Sequence, residues 1–363
     1  MKAVKHARKR YSFGFGVSLG LFLLPGCSSP AGEVDEPANQ ASEESSENIE
    51  KSTAAALSAH QVPGVIDALI ATAPEGQTLH IRHKMICGFV VPKRVAIDGH
   101  GVQVVACPSA PSPIASANDL KAGVLLDAAA SGSQLQGFVF QGKGASSGEV
   151  GALAFGVFSR GAEDVVITRN HFWGTVQAIT TVGGKGWVIT KNRIRDLEVF
   201  GCPGHCAGGV GIVLAHSPAT VASSSGALVW KNRITAVEPP SGLLFSVTGI
   251  LAWSTERASV LRNRVSLKGS PTRGIDVTRT AQAGMVIEAA CGGARILENR
   301  ARAEEPIRVD PACMEGTITL DNREVTTSEA LVASWSRDAV QSDTHSEVSP
   351  LRQAPPVARP LGL

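Results

Sequence analysis

What this 363-residue chain lacks narrows its function before any motif is read. It lacks charge of one sign: 34 Lys and Arg stand against 32 Asp and Glu, a formal net charge of +2. Five of those cations (Lys2, Lys5, Arg8, Lys9, Arg10) lie in the first ten residues, and the stretch 28–51 carries seven acids and one lysine, which leaves about +3 on the remainder. A chain so near neutrality has no broad basic field and is not expected to bind nucleic acid. A membrane span is also missing, since the apolar stretch from about Phe13 to Leu24 is too short and too rich in glycine. No phosphate-binding loop, zinc-protease motif or nucleophile elbow occurs. Few segments have the length or the 3.6-residue period of helices; Val, Ile, Thr and Gly dominate instead.

What is present is a repeat. Six apolar runs (VVITRN, WVITKN, ALVWKN, ASVLRN, ARILEN, TITLDN) end in Asn170, Asn192, Asn232, Asn263, Asn299 and Asn322, with spacings of 22, 40, 31, 36 and 23 residues. The shortest spacings define a unit of about 22 residues, and the rest are that unit with insertions. Four further strand-like runs place a glycine before alternating apolar positions: FGVFS at Gly156, VGIVLA at Gly211, TGILAW at Gly249 and RGIDVT at Gly274. Short strands joined by tight turns and stacked on the next repeat make a coiled parallel sheet. Asn suits such a turn because it tolerates the left-handed conformation, and stacked amides can bond as a ladder. The residue three before each Asn (Ile167, Ile189, Val229, Val260, Ile296) is expected inside. The positions two and four before it (Val166, Val188, Leu228, Trp230, Leu261, Leu297, Ile318, Leu320) form two outward apolar columns.

Over residues 61–325 the chain resembles the right-handed parallel β-helix proteins of the pectate-lyase-like superfold, in particular the extracytoplasmic right-handed β-helix repeat domains. The resemblance implies an all-β solenoid of about ten coils. It also implies a short N-terminal helix, read in VPGVIDALIATAPEG, that covers the first coil; an open end would expose strand edges.

The N-terminus is read as an export signal. Basic residues, an apolar stretch and Leu24-Pro25-Gly26-Cys27 resemble a bacterial lipoprotein cleavage box, with Pro25 in place of the usual small residue. Residues 1–26 are then the signal peptide, Cys27 the lipidated residue and membrane attachment point, and 27–60 a Ser-, Glu- and Pro-rich tether. Residues 326–363 are a packed segment followed by a loose tail. The expected location is outside the cytoplasm, anchored on the periplasmic or cell-surface side, and the expected state is a monomer. The other six cysteines fit an oxidising compartment. Cys87 and Cys107 are 20 apart and Cys291 and Cys313 are 22 apart, each about one coil, while Cys202 and Cys206 enclose a three-residue loop. Three disulfides in that pairing are expected, although six cysteines allow 15 connectivities. A metal site at Cys202, His205 and Cys206 is the rival, and no fourth ligand is identifiable for it.

Enzymes on this fold use clustered acids on one outward strand face, as acid and base or as calcium ligands against a uronate. Aligning GIVLAH, GILAWST, GIDVTRT and PIRVDPA places Val213, Leu251, Asp276 and Arg308 in one outward column and Ala215, Trp253, Thr278 and Asp310 in the next. Trp253, Asp276, Arg308 and Asp310 therefore form the expected carbohydrate-binding patch. No catalytic residue and no metal ligand are assigned, and calcium enters only if the protein is a uronate lyase. His100, in Gly99-His100-Gly101, is read as a turn residue. The column after each Asn (His171, Arg193, Arg233, Arg264, Arg300, Arg323) stacks cations, either as a solvated face or as a site for an anionic polymer. The expected function is a lipid-anchored extracytoplasmic protein that binds or organises surface polysaccharide, or plays a structural role in the envelope. The alternative is a polysaccharide lyase, epimerase or glycoside hydrolase.

Overall fold

A computed structural model describes residues 64–75, 77–113, 120–143, 152–202, 205–207, 209–216, 224–236, 246–279 and 291–327. The expected signal peptide, Cys27, the tether and nearly all of the C-terminal segment lie outside the described residues. No helix among the described residues is long and apolar enough to cross a membrane.

The chain is a parallel β-helix. Three all-parallel sheets run along it, two of nine strands and one of eight. Each coil contributes one short strand to each sheet in turn, as Val166–Thr168, His171–Trp173 and Gln177–Val182 do for the first, second and third sheets. Nine coils form among the described residues, against the ten or so expected.

The three-residue strands of the first sheet place their central side chain inward, and Ile167, Ile189, Val229, Val260 and Ile296 stack in register with no exposed area. The flanking positions face out: Val166, Val188, Leu228, Trp230, Leu261 and Leu297 are half-buried, and Ile318 and Leu320 are exposed. The third sheet explains its glycines by close approach. A Cβ on Gly249 would lie 2.4 Å from Val265 Cγ1 and 2.5 Å from the Gly274 carbonyl oxygen, so only hydrogen fits where the second and third sheets meet.

The turns between the first and second sheets carry the ladder. Asn232 Nδ2 donates to the Ile189 carbonyl at 2.8 Å and to Asn263 Oδ1 at 3.0 Å, and Asn232 Oδ1 accepts from both the backbone N and Nδ2 of Asn192, each at 3.0 Å. The same pattern runs unbroken from Asn170 to Asn322. One expectation is corrected here. The left-handed residue of each turn is not the Asn but the one before it: Arg169, Lys191, Lys231, Arg262, Glu298 and Asp321 have φ between 54° and 57°. The amide faces inward to build the ladder, so the unfavourable dihedral falls on a neighbour whose side chain stands in water.

The ends are held differently. The helix Val65–Thr72 lies against the strand Phe89–Val91, the edge of the third sheet, and Asp67 Oδ1 accepts from the Val90 amide at 3.1 Å. Lys93 Nζ donates to the Ala71 and Ala73 carbonyls at 2.7 and 2.6 Å, which satisfies the end of that helix. Cys87–Cys107 and Cys291–Cys313 are disulfides with Cα separations of 5.7 and 4.9 Å, each joining one coil to the next. Cys202 and Cys206 fall on an antiparallel hairpin, Phe200–Cys202 with His205–Ala207, in which Cys206 pairs with Gly201 and Cys202 with His205. Their side chains, and so the expected third bond, lie outside the described residues.

Removing one ladder amide leaves buried backbone groups without partners on both neighbouring coils. Asn232→Ala is expected to lower stability by about 3 kcal/mol, and the half-buried terminal Asn322→Ala by distinctly less. Urea unfolding followed by circular dichroism measures both, and equal losses would contradict a cooperative ladder. Reducing Cys87–Cys107 or Cys291–Cys313 is expected to cost about 3 kcal/mol each, since each closes a loop of roughly 20 residues, read as a lower denaturation midpoint in reductant.

Candidate functional site

The expected patch on the third sheet assembles in register. Leu251, Asp276 and Arg308 occupy successive coils of one column, and Trp253 pairs with Thr278 in the next. Thr278 Oγ1 donates to Asp310 Oδ2 at 3.3 Å, which brings the fourth residue alongside. The patch is closed, however. Trp253 is 4% exposed and its Nε1 donates to the Arg279 carbonyl at 3.2 Å, so its face offers no open platform for a sugar ring. Asp276 is 2% exposed, with Arg273 Nη1 at 3.1 Å and Arg308 Nη1 at 3.3 Å from Oδ2.

Burial pushes the Asp276 carboxyl above its ordinary range, against the pull of Arg308 and then Arg273. Asp310 lies below its ordinary range, chiefly because its side chain accepts from the Ala312 amide at 3.0 Å. The two carboxylates are thus engaged in holding the strand ends and two guanidinium groups. A calcium ion at Asp276 would have to displace both arginines. The outward columns here pack into a second apolar cluster, with Phe155, Phe158, Val213, Leu251 and Trp253 among its members.

The second sheet presents the open charged surface. Its strands His171–Trp173, Arg193–Leu197, Arg233–Ala236, Arg264–Ser266, Arg300–Ala303 and Arg323–Thr326 pair so that His171, Arg193, Arg233, Arg264, Arg300 and Arg323 form one column. Adjacent strands in a sheet are about 4.8 Å apart, so five arginines recur at roughly that interval. Arg193 is half-buried and the other four are exposed. The left-handed turn tips Arg169, Lys191, Lys231 and Arg262 run beside them. Among the described residues Arg262–Glu298, at 2.8 Å, is the one ion pair on this ridge. Two unit charges 4 Å apart in water repel by about 1 kcal/mol, so a column of like charges on successive strands favours an anion beside it. A glycine would also adopt the turn-tip conformation without strain, yet these tips carry charged side chains.

An aromatic ring lies in the outward column beside this one. Strict alternation in His171-Phe172-Trp173 buries Phe172 and leaves Trp173 40% exposed. Trp173 pairs with Arg195 one coil on, its Nε1 donates to Asp196 Oδ2 at 3.0 Å, and Lys143 Nζ lies 5.6 Å from its ring centre. On the first sheet, Lys231 and Lys191 stand 4.3 and 5.6 Å from the Trp230 ring. An indole with cations around it and a carboxylate at its edge combines stacking with charge recognition. The sequence signal for Trp173 was available in the alternation, but the ring falls in a coil whose neighbours in that column are not aromatic.

Compared with known proteins, the chain matches no family model and no curated protein.

With Arg308 removed, Asp276 keeps one of its two counter-charges while remaining buried. Arg308→Ala is expected to lower stability by about 3 kcal/mol at neutral pH. Because the folded-state carboxyl titrates above its ordinary value, the loss should shrink as the pH falls and Asp276 is protonated. Denaturant unfolding at neutral and acidic pH reads this, and a loss that stays the same on acidification would show that Arg308 does not act by neutralising Asp276.

Proposed function

We propose that the protein is an exported, lipid-anchored β-helix that binds an anionic surface polysaccharide along the second sheet, with Trp173 as the stacking residue and the arginine column as the charge track. The observation that carries this reading is the run of five arginines on successive coils, Arg193, Arg233, Arg264, Arg300 and Arg323, with no carboxylate paired to them among the described residues. A regular row of cations suits a polymer whose negative groups also recur regularly, and Arg can grip each carboxylate, sulfate or phosphate through two parallel hydrogen bonds. Two disulfides support residence in an oxidising compartment. The lipoprotein-like box at Cys27 and the tether supply the anchor.

The lyase, epimerase or hydrolase alternative calls for convergent carboxylates in an open groove. Asp276 and Asp310, the acids of the expected patch, are instead occupied by arginines, a backbone amide and a threonine. Binding is therefore the preferred reading. The pectate-lyase-like resemblance contributes the scaffold and an expectation of sugar ligands.

Polygalacturonate serves as the anionic probe, with dextran as the neutral control and duplex DNA as a competing polyanion. Binding to polygalacturonate should weaken steeply with salt. Arg233→Glu combined with Arg264→Glu should reduce affinity at least tenfold, about 1.4 kcal/mol, and Trp173→Ala by a similar factor. Equal binding of dextran, or unchanged affinity in both variants with folding intact, would overturn the reading. Preference for DNA would replace the ligand class while keeping the surface.

A further inference from the structure

The first two coils bring together three side chains that serve neither the fold nor the arginine track. His80 ends the strand Thr78–His80, Asp98 ends Ala96–Asp98, and the two are register partners in one outward column of the first sheet. Two residues on, His100 occupies the left-handed region, with φ 46°. Its backbone N donates to Asp98 Oδ1 at 3.1 Å, and the Gly101 amide donates to the Gly137 carbonyl at 2.6 Å. That turn brings the imidazole back over the strand end. His80 Nδ1 and His100 Nε2 come within 3.0 Å, and His100 Nε2 lies 3.7 Å from Asp98 Oδ2. One donor atom from each residue falls within 4.8 Å of the other two.

We propose that His80, Asp98 and His100 form a binding site for a divalent late first-row metal ion, with zinc as the reference ion. Two atoms each about 2.0 Å from a tetrahedral zinc are separated by about 3.3 Å, and the 3.0 and 3.7 Å separations bracket that value. Two imidazoles and one carboxylate are a ligand set for zinc or its neighbours rather than for magnesium or calcium, which prefer oxygen. The supporting shell is built on the next coil. Gln136 follows Asp98 in the same column, and its Nε2 donates to Asp98 Oδ2 at 2.7 Å, which fixes the carboxylate. His80 and His100 are exposed and Asp98 is half-buried, so an ion can enter from solvent. His100 also lines a cleft with Ile81, Arg82 and His83, and a fourth coordination position facing it would take water or an anionic ligand group. The ion would tie the first coil to the second beside the capped end.

Three protein ligands predict moderate affinity, read by calorimetry on the purified, chelator-treated protein titrated with zinc chloride. One saturable site is expected, with magnesium and calcium at least a hundredfold weaker. His80→Ala, His100→Ala and Asp98→Asn should each weaken zinc binding at least tenfold, Gln136→Ala by a smaller factor, and His171→Ala not at all. Cobalt should give the visible absorption of a four-coordinate site, absent in His80→Ala. Metal-free unfolding midpoints establish that the variants fold, and His80→Gln serves as a second variant if His80→Ala does not. No saturable zinc binding, or binding unchanged in folded His80 and His100 variants, would overturn the proposal and leave a hydrogen-bonded pair of imidazoles.

Discussion

The hydrogen bond between side-chain amides of successive turns is the interaction on which the rest depends. A parallel β-helix has to turn sharply three times per coil without leaving backbone groups unpaired in its interior. At one of these corners the carboxamide solves the problem because it donates and accepts at once. Within the ladder each Oδ1 takes two hydrogens from the previous coil, and each Nδ2 gives to a carbonyl and to the next Asn, while Asn170 Oδ1 accepts from the Phe138 amide and Asn322 Nδ2 donates to the Ile296 carbonyl. An acid could not donate and a lysine could not accept. Since the ladder lies between the first and second sheets, it also sets the register in which the arginines of the second sheet line up. The charge track is a by-product of the same translation that builds the core.

That dependence decides what was legible in the sequence. Wherever the Asn marker recurs, the interior column, the outward columns and the residue-by-residue alignment of the third sheet all follow, including the pairing of Leu251 with Asp276 and of Asp276 with Arg308. Periodicity reports direction but not exposure, and Trp253 is the case in point. It points away from the solenoid interior as expected, yet it is buried in a second apolar cluster on that outer face. The dihedral assignment of the turn failed for a related reason: Asn tolerates the left-handed region, but its amide is worth more inside.

The first coils carry no Asn marker. The corner before Phe138 uses Gly137, with φ 74°, and the Phe138 amide donates to Asn170 to start the ladder. Without the marker, nothing in the sequence aligned His80 with Asp98, which are 18 positions apart, and His100 read as an isolated turn residue. The near-neutral total charge gives no sign of the arginine ridge, which only the column after each Asn reveals. Averages over a solenoid cancel surfaces that lie on different faces, and only the register separates them.

The two described disulfides sit at opposite extremes, Cys87–Cys107 between the first and second coils and Cys291–Cys313 between the eighth and ninth. A terminal coil has one neighbour, so thermal fraying of a stack begins there. Cross-linking each outermost coil to the next moves the weakest points inward, to coils that are clamped from both sides. Under tension along the axis such a stack resists peeling from its ends and yields only when an internal rung parts.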